Sequence, residues 1–323
     1  MKFLIIGGAG FIGFHLTKQL LQNGYEVDLI DQVCINKLDR ELVGLIESKK
    51  IAYFRTSLEN MDDTFLLKKD YSHVIHLAAM LGVQNVINNA FDVLCANVNM
   101  TIKAIKIAQQ QTKLIKFVFA STSEVYAGTQ FAEKLSFPTP EHSEIILPDL
   151  AAPRSSYMLS KIYGESLCKH SGLPYVIVRP HNIYGPRMGM KHVIPQLLQK
   201  SVNSTNGVLE VQSCDHRRTF CFISDAVDMI SFVATSEDVN ETTINIGNEA
   251  PEISILELAK IINKVVGKKL EIKKMPATAG SPSRRVPDMS FLRTTMNYQP
   301  KVPIIAGVTE TFEWYKKNER WKV

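Results

Sequence analysis

The chain has 323 residues, of which 45% are hydrophobic and 21% are charged, and its formal net charge is +5. This composition is ordinary for a folded globular protein, and the mild charge argues against nucleic acid as a partner while suiting a small anionic ligand. The five cysteines lack the close pairing of a zinc site or a disulfide framework, so neither a metal centre nor a secreted scaffold is expected. No apolar run approaches the ~20 residues of a membrane span, so we expect a cytoplasmic protein without a membrane partner.

The first half of the chain alternates short β-rich runs with helical patterns. Strands are predicted at residues 3–6, 26–30, 51–55, 73–76, 116–120 and 175–179. Helices are predicted near residues 11–23, 36–48, 93–111 and 155–170. This alternation indicates a parallel sheet with helices on both faces, and right-handed crossovers make such a sheet doubly wound.

The pattern changes after Pro180, where short strands, glycines and prolines mix with further helices. These helices are predicted near residues 193–200, 225–234, 255–266 and 308–316. We therefore predict an α/β protein with a doubly wound parallel sheet of the Rossmann type in residues 1–180, joined by some later segments. A smaller C-terminal α/β domain in residues 181–323 is expected to bind the substrate.

A glycine motif follows the first predicted strand directly and opens the first predicted helix. In such a loop one glycine allows a tight turn, one lets the backbone approach a pyrophosphate, and one lets the helix pack on the strand. The phosphates then lie at the helix N-terminus. The expected cofactor contacts of this loop are Gly7, Gly10, Phe11, Ile12 and Gly13.

An acidic residue, Asp31, ends the second predicted strand. A carboxylate at this position accepts hydrogen bonds from the adenosine ribose hydroxyls and repels a 2′-phosphate. The glycine loop contains no Arg or Lys, and Gln32 follows the acid. These residues predict NAD as the cofactor in preference to NADP.

Tyr157 and Lys161 are four residues apart on a predicted helix, so their side chains share one face. An ammonium group beside a phenol favours the phenolate, which allows the tyrosine to act as a base near neutral pH. Hydroxyls also follow the fifth predicted strand, at the edge where such sheets bind ligands. Here Thr122 or Ser123 is expected to hydrogen-bond the reacting oxygen, and Glu124 is either a solvated loop residue or an acid or base facing the crevice.

Together these motifs resemble the extended short-chain dehydrogenase/reductase family, in its branch of NAD-dependent nucleotide-sugar epimerases and dehydratases. The resemblance extends over essentially the whole chain. Further matching segments are residues 76–79, 97–98, 179–187, 218–225, 245–247 and 285–288.

The resemblance implies a role for each matching residue. Tyr157 would take the proton from a sugar hydroxyl, usually at C4, while hydride passes to the nicotinamide. Lys161 would hold the nicotinamide ribose, and Thr122 would bind the same sugar hydroxyl. Additional cofactor contacts are implied for Ser57, Leu58, Leu77, Ala78, Ala79 and Asn97. Contacts with the nucleotide-diphosphate sugar are implied for Asn182, Arg187, Arg218 and Arg285.

The resemblance also implies a homodimer, because in this family the helices near 93–111 and 155–170 usually pair with a second subunit.

The chain departs from the family pattern at three places. An acidic residue usually follows the third strand, where this chain has Thr56-Ser57-Leu58, and Ser57 is a weak substitute for it. Ala127 stands where a glycine is usual, and residues 79–83 are less polar than in many relatives.

Three reactions remain open, all through a transient 4-keto sugar. We favour 4-epimerisation because it requires no further base. A 4,6-dehydratase typically carries an Asp-Glu pair after the threonine, whereas this chain has Ser123-Glu124. Decarboxylases of UDP-glucuronate resemble Thr122-Ser123-Glu124 and the Gly-Pro-Arg-Met run at 185–188, although their signature is absent at 79–83. In either alternative Glu124 would act as a base. An alternative of another class is a non-catalytic NAD-binding sensor.

Overall fold

The computed structural model describes residues 1–58, 61, 70–147, 149–278 and 280–318. The chain forms two compact units. The first contains Met1–Val125, Leu147–Arg179 and Val227–Ile244, and the second contains Tyr126–Ile146, Pro180–Ala226 and Asn245–Val323. A single boundary at residue 180 therefore does not separate the units, because residues 126–146 group with the later segments and residues 227–244 with the earlier ones.

The described part of the chain contains fourteen strands and eleven α-helices. The strands are β1 (Lys2–Ile6), β2 (Glu26–Asp31), β3 (Ile51–Arg55), β4 (His73–His76), β5 (Lys116–Ala120), β6 (Tyr175–Pro180), β7 (Ile183–Tyr184), β8 (Val208–Gln212), β9 (Arg217–Arg218), β10 (Cys221–Phe222), β11 (Thr242–Ile246), β12 (Ile253–Ser254), β13 (Glu271–Met275) and β14 (Arg284–Arg285). The α-helices are α1 (Phe11–Gln22), α2 (Arg40–Glu47), α3 (Val83–Asn88), α4 (Ala90–Gln109), α5 (Ala127–Phe131), α6 (Ser155–Lys169), α7 (Val193–Asn203), α8 (Ile223–Thr235), α9 (Ile255–Val266), α10 (Ser290–Thr295) and α11 (Ile304–Lys317).

The largest sheet has seven strands within the described residues, in the order β11-β6-β5-β4-β1-β2-β3. The neighbouring pairs from β3 to β6 are all parallel, and Phe3 of β1, for example, pairs with Val27 on one side and His73 on the other. The order from β3 to β6 is that of the Rossmann fold. The predicted doubly wound α/β sheet is therefore confirmed, and β11, which the sequence did not identify as a strand, extends it at one edge.

The central strands of this sheet are buried because both faces are covered, as expected for parallel strands, whereas the edge strand β3 is mostly half-buried. β5 is buried at every position, and the core cluster joins apolar residues of β1, β4, β5 and β6 to the inner face of α4. The carboxyl ends of parallel strands meet at one edge of a sheet. The glycine loop after β1, residues 77–80 after β4 and residues 121–124 after β5 therefore lie at the same edge.

Helix α2 corrects one prediction. The sequence predicts a helix from residue 36, but Ile35–Lys37 form a 3₁₀ turn and α2 begins at Arg40. The side chain of Asp39 accepts a hydrogen bond from the Leu42 amide and so caps the helix at that position.

The second unit contains three small sheets within the described residues. β7 pairs with β10, β8 pairs with β13, and β9 lies between β12 and β14. Helices α7, α9 and α11 contact one another. Over the ranges that the structure describes, no helix has the length and apolar character needed to cross a membrane, and no cluster of three or more His, Cys, Asp or Glu side chains could hold a metal ion.

Candidate active site

The glycine loop after β1 is closely packed on its inner side. Gly7 has a φ of +88°, and a Cβ at this position would lie 2.7 Å from the backbone nitrogen of Ala78. A Cβ on Gly13 would collide with the carbonyl oxygen of Gly7, so only glycine allows α1 to pack here. No side chain among the described residues caps α1 by hydrogen bonding, and its first turn contains no acid. The free amides of this N-terminus suit a pyrophosphate, so the loop fits the predicted dinucleotide.

Asp31 holds this loop from the end of β2. Its carboxylate accepts hydrogen bonds from the amides of Ala9, at 3.0 Å, and Val33, at 3.1 Å. Burial raises the pKa of Asp31, while these amide bonds act in the opposite direction. The Gln32 amide acts on the same carboxylate, which has about four acceptor positions, so capacity remains for a ribose hydroxyl. The residue present here therefore fits the adenosine ribose of NAD.

The segment after β4 lies directly against the glycine loop. The amides of Leu77 and Ala78 both donate to the carbonyl of Ile6, at 2.9 and 3.0 Å, and Leu77, Ala78 and Ala79 are half-buried. Asn97 of α4 is buried, and its amide oxygen accepts from the Met80 amide at 2.7 Å. Its amide nitrogen donates to the Met80 carbonyl and to the hydroxyl of Ser160. Asn97 therefore ties residues 77–80 to α6, and its direct contact with a cofactor stays a prediction.

The two residues after β3 differ in burial. Leu58 is 4% exposed and its side chain belongs to the apolar core of the first unit. Its role as a cofactor contact stays a prediction. Ser57 is half-buried, and its role as a cofactor contact stays a prediction.

Tyr157 of α6 lies beside Thr122 and Glu124. The Thr122 side chain lies close enough to Tyr157 to lower the pKa of the phenol. Burial has the largest effect and raises that pKa, and the nearby charge of Glu124 raises it further. The structure thus brings together a phenol, a hydroxyl and a carboxylate that are distributed over two segments of the sequence.

Lys161 is 3% exposed and lies one helical turn from Tyr157. Its ammonium nitrogen donates to the carbonyl of Ala120 at 2.7 Å and lies 6.0 Å from the centre of the Tyr157 ring. Burial lowers the pKa of Lys161 to about 8, and the groups that oppose this are Cys168 and Glu165. Burial and the charge of Lys161 also lower the pKa of His76 to about 3, so this imidazole is neutral. At pH 7 most of the lysine is charged, as a partner that favours the phenolate must be.

The other two residues of the predicted catalytic segment differ in exposure. Ser123 is 6% exposed, whereas Glu124 is half-buried and close enough to Tyr157 to affect its pKa. Glu124 is thus placed to act on the same reacting group as the phenol. A catalytic role for Ser123 stays a prediction.

A buried polar network next to residues 121–124 was not predicted from the sequence. The carboxylate of Glu165 on α6 accepts hydrogen bonds from Ser121, at the end of β5, and from Arg179, at the end of β6. One signal was available, because Glu165 follows Lys161 by four residues and so lies on the same helical face. The partners were not predictable from local spacing.

The second unit holds the residues expected to bind a nucleotide diphosphate. In the parallel pair β9/β14, Arg218 is the register partner of Arg285 and Arg217 is the partner of Arg284. Because alternate residues of a strand face opposite sides, the first pair shares one face and the second pair shares the other. Arg217 and Arg284 both contact Glu252. On the other face Arg218 is buried, and its guanidinium donates to the carbonyls of Arg217, at 2.9 Å, and Pro282. Arg218 and Arg285 both lower the pKa of His216, although burial has the larger effect.

Asn182 and Arg187 both have backbone conformations in the left-handed region, with φ values of +44° and +71°. The side-chain amide of Asn182 donates to the carbonyl of Thr219 at 2.9 Å, which places it next to Arg218. Arg187 is buried. The structure therefore groups Asn182, Arg218 and Arg285, whereas substrate contact by Arg187 stays a prediction.

Comparison with known proteins identifies relatives that match over nearly all of this chain. The model of the NAD dependent epimerase/dehydratase family matches residues 3–247. The chain is 32% identical to a UDP-N-acetyl-alpha-D-glucosaminuronate decarboxylase of Bacillus cytotoxicus, covering 98% of each chain, and 28% identical to UDP-glucuronic acid decarboxylase 1 of Xenopus tropicalis, covering 98% of this chain and 72% of that protein. The crystal structure of a UDP-glucuronic acid 4-epimerase from Bacillus cereus, in complex with UDP-glucuronic acid and NAD, is also similar. It has 28% identity and a TM-score of 0.81 over 98% of this chain and 99% of that chain.

Proposed function

The chain belongs to the NAD-dependent epimerase/dehydratase family and is an NAD-dependent enzyme, and on that premise we propose that it catalyses 4-epimerisation of a nucleotide-diphosphate sugar. The observation that carries this proposal is the arrangement of Thr122, Tyr157 and Lys161 at the same sheet edge as the dinucleotide-binding loop. Epimerisation requires these three side chains and the cofactor, and no further acid or base.

In the proposed reaction Tyr157 accepts the proton of the sugar C4 hydroxyl, while the hydrogen on C4 leaves as hydride. Thr122 lies close to Tyr157, and its hydroxyl can donate to or accept from the same sugar oxygen. Lys161 places a positive charge one helical turn away. Oxidised NAD held by the glycine loop and Asp31 would supply the hydride acceptor. Return of the hydride to the other face of the ketone, with Tyr157 giving back its proton, completes the inversion at C4.

The second unit supplies groups suited to the substrate's diphosphate. Arg218 and Arg285 lie side by side on one face of β9/β14, and Asn182 is hydrogen-bonded to the residue next to Arg218. Guanidinium groups form strong, directional hydrogen bonds with phosphate. These residues support a nucleotide diphosphate as the carrier of the sugar.

A second candidate reaction is decarboxylation of a nucleotide-linked uronic acid. It is favoured by the two relatives named above as decarboxylases, one of them 32% identical over 98% of this chain. Oxidation at C4 of a uronic acid places a ketone β to the C6 carboxylate, and such acids lose carbon dioxide readily. The first step would therefore use the same three side chains, and Glu124 beside Tyr157 would assist proton return to the keto sugar.

A panel of UDP-, dTDP- and GDP-sugars that includes UDP-glucuronate distinguishes these reactions. Purified protein is incubated with each sugar and NAD, and the product is followed by mass and by proton NMR. An unchanged mass with inverted stereochemistry at C4 supports epimerisation. Loss of carbon dioxide assigns decarboxylation, and loss of one water assigns 4,6-dehydration. Absence of any product, with NAD binding intact, would support the non-catalytic sensor.

The assembly proposed for this enzyme is a homodimer. Helices α4 and α6 contact each other within the first unit, and each exposes a large apolar side chain: Phe91 is 76% exposed and Tyr163 is 52% exposed. Pairing with a second copy would cover both. Light scattering of the wild type and of the double variant Phe91→Glu/Tyr163→Glu tests this, since the charges should yield monomers.

We also propose a cytoplasmic location for the protein. The five free cysteines suit a reducing compartment.

A further inference from the structure

The Glu165 carboxylate is completely enclosed by charge-assisted partners. Its side chain is 4% exposed and that of Arg179 is 3% exposed. Arg179 donates to both carboxylate oxygens, at 2.8 and 2.7 Å, and the hydroxyl of Ser121 donates to one of them at 2.6 Å. This bidentate geometry fixes the carboxylate in a single orientation.

The network joins α6 to the ends of two strands. Ser121 follows the last residue of β5 and directly precedes Thr122, and Arg179 lies at the end of β6. One helical turn before Glu165, Lys161 donates to the carbonyl of Ala120. Helix α6 is therefore attached to the segment that carries Thr122 at two points, one turn apart, on the helix that also carries Tyr157.

Stability alone is a weak explanation for such a pair. Taking two charges out of water is costly, and well-packed apolar residues of similar volume are often as stabilising as a buried ion pair. What apolar residues cannot supply is a fixed orientation and a negative charge near Lys161.

Several groups face Lys161. On its own helix these are Tyr157, Cys168 and Glu165, and from β4 the facing group is His76. Burial raises the pKa of the Cys168 thiol to about 12 and lowers that of His76, so both are neutral near pH 7. Glu165 therefore supplies negative charge that helps Lys161 to retain its proton.

We propose that the Glu165–Arg179 pair is a positioning unit for proton transfer. It holds Thr122 and Lys161 at fixed positions relative to Tyr157 and maintains the charge of Lys161. Ser121 transmits the position of the pair to the catalytic segment. The inference rests on the proposed function, because it assigns to these residues the support of the same phenol.

The first test is Ser121→Ala, which keeps the ion pair and removes its link to Thr122. We expect kcat to fall roughly three- to tenfold with KM nearly unchanged, because Thr122 is held less firmly beside Tyr157, and the melting temperature to fall about as much as in the control, which also loses one buried hydrogen bond. The matched control is Ser201→Ala. Ser201 is also buried and hydrogen-bonded to a side chain, that of Asn263, but it lies in the second unit. Wild-type kcat in Ser121→Ala would overturn the proposed transmission.

The second test is Glu165→Gln, which removes the charge at nearly constant shape. Lys161 should lose its proton at lower pH, so the alkaline limb of kcat should move to lower pH, and Glu165→Asp should restore part of the shift. A purely structural role would lower the melting temperature and leave this limb in place. If Glu165→Gln does not fold, Ser121→Ala decides the proposal.

A measurement without turnover separates this proposal from the proposed function. In the NAD-bound protein labelled with ¹³C-lysine, the Lys161 signal is assigned from a Lys161→Arg variant and titrated by NMR. The midpoint should move to lower pH in Glu165→Gln and stay unchanged in Ser201→Ala. If the wild type converts no sugar, the proposed function fails. The positioning role is overturned by a different result, namely an unchanged titration midpoint of Lys161 in Glu165→Gln.

Discussion

Arg218 and Arg285 are register partners in the parallel pair β9/β14, although they lie far apart in the chain. Two neighbouring cations repel each other, and the same two strands carry Arg217 and Arg284 on their opposite face. Glu252 offsets part of the charge of that second pair: it accepts from the guanidinium of Arg284 at 2.8 Å through each carboxylate oxygen and lies 3.4 Å from Arg217. The acid on one face thus helps to keep the two arginines of the other face adjacent.

Replacing Glu252 by Gln should therefore weaken substrate binding without affecting the chemistry. We expect KM for the nucleotide sugar to rise about three- to tenfold with kcat nearly unchanged, because the β9/β14 pair loses its neutralising charge. Arg284 holds the pKa of Glu252 below its usual value, so the stabilisation is present at neutral pH and is lost as the pH falls through the lowered pKa. Steady-state kinetics check the variant against Glu271→Gln, an exposed acid of the same unit. An unchanged KM would contradict the role assigned to Glu252.

Tyr157→Phe should abolish turnover and leave NAD binding intact. The phenyl ring keeps the packing of α6 but cannot accept the sugar proton, and loss of a general base typically reduces the rate by about 10²–10⁴-fold. Absorbance at the reduced-nicotinamide band after addition of sugar, together with calorimetric NAD binding, measures both properties. Tyr25→Phe, a half-buried tyrosine of the same unit outside the site, is the control. Full activity in Tyr157→Phe would show that another group takes the proton.

Above the pKa of Lys161, activity should fall with rising pH while the contribution of this residue to stability rises. Lys161 has a pKa of about 8 in the folded protein, below its ordinary value of 10.5. Activity should therefore fall as the pH rises through about 8, because the ammonium beside Tyr157 is lost. Between about 8 and 10.5 the unfolded chain binds more protons at this group, so its contribution to stability rises with pH over the same window. A kcat profile that stays flat above this pKa, measured with melting temperatures in the same buffers, would argue against a charged Lys161 in the active form.

The sequence predicted those parts of the site that depend on local spacing. Tyr157 and Lys161 share a helical face because they are four residues apart, and the glycine loop is a turn between one strand and the next helix. The partners of Glu165 and Glu252 could not be predicted in this way, because they come from different strands whose register depends on the whole sheet. Leu58 illustrates a second limit: its position after a strand suggested a ligand contact, which stays a prediction, but gave no sign that its apolar side chain packs in the core.

Glu124→Gln should identify the reaction that follows oxidation of the sugar. The charge of Glu124 raises the pKa of Tyr157, so its removal should make the phenol a slightly stronger acid and leave reversible hydride transfer intact. If the enzyme is a 4-epimerase, turnover should continue at a rate within a few-fold of the wild type, as it should in the control Glu144→Gln, an exposed acid. If Glu124 instead acts on the keto sugar during decarboxylation or dehydration, reduced cofactor should accumulate while product formation stops. Stopped-flow absorbance reports the reduced cofactor, and product mass reports turnover. Together they separate the two outcomes, because reduced cofactor accumulates without product only if Glu124 acts on the keto sugar.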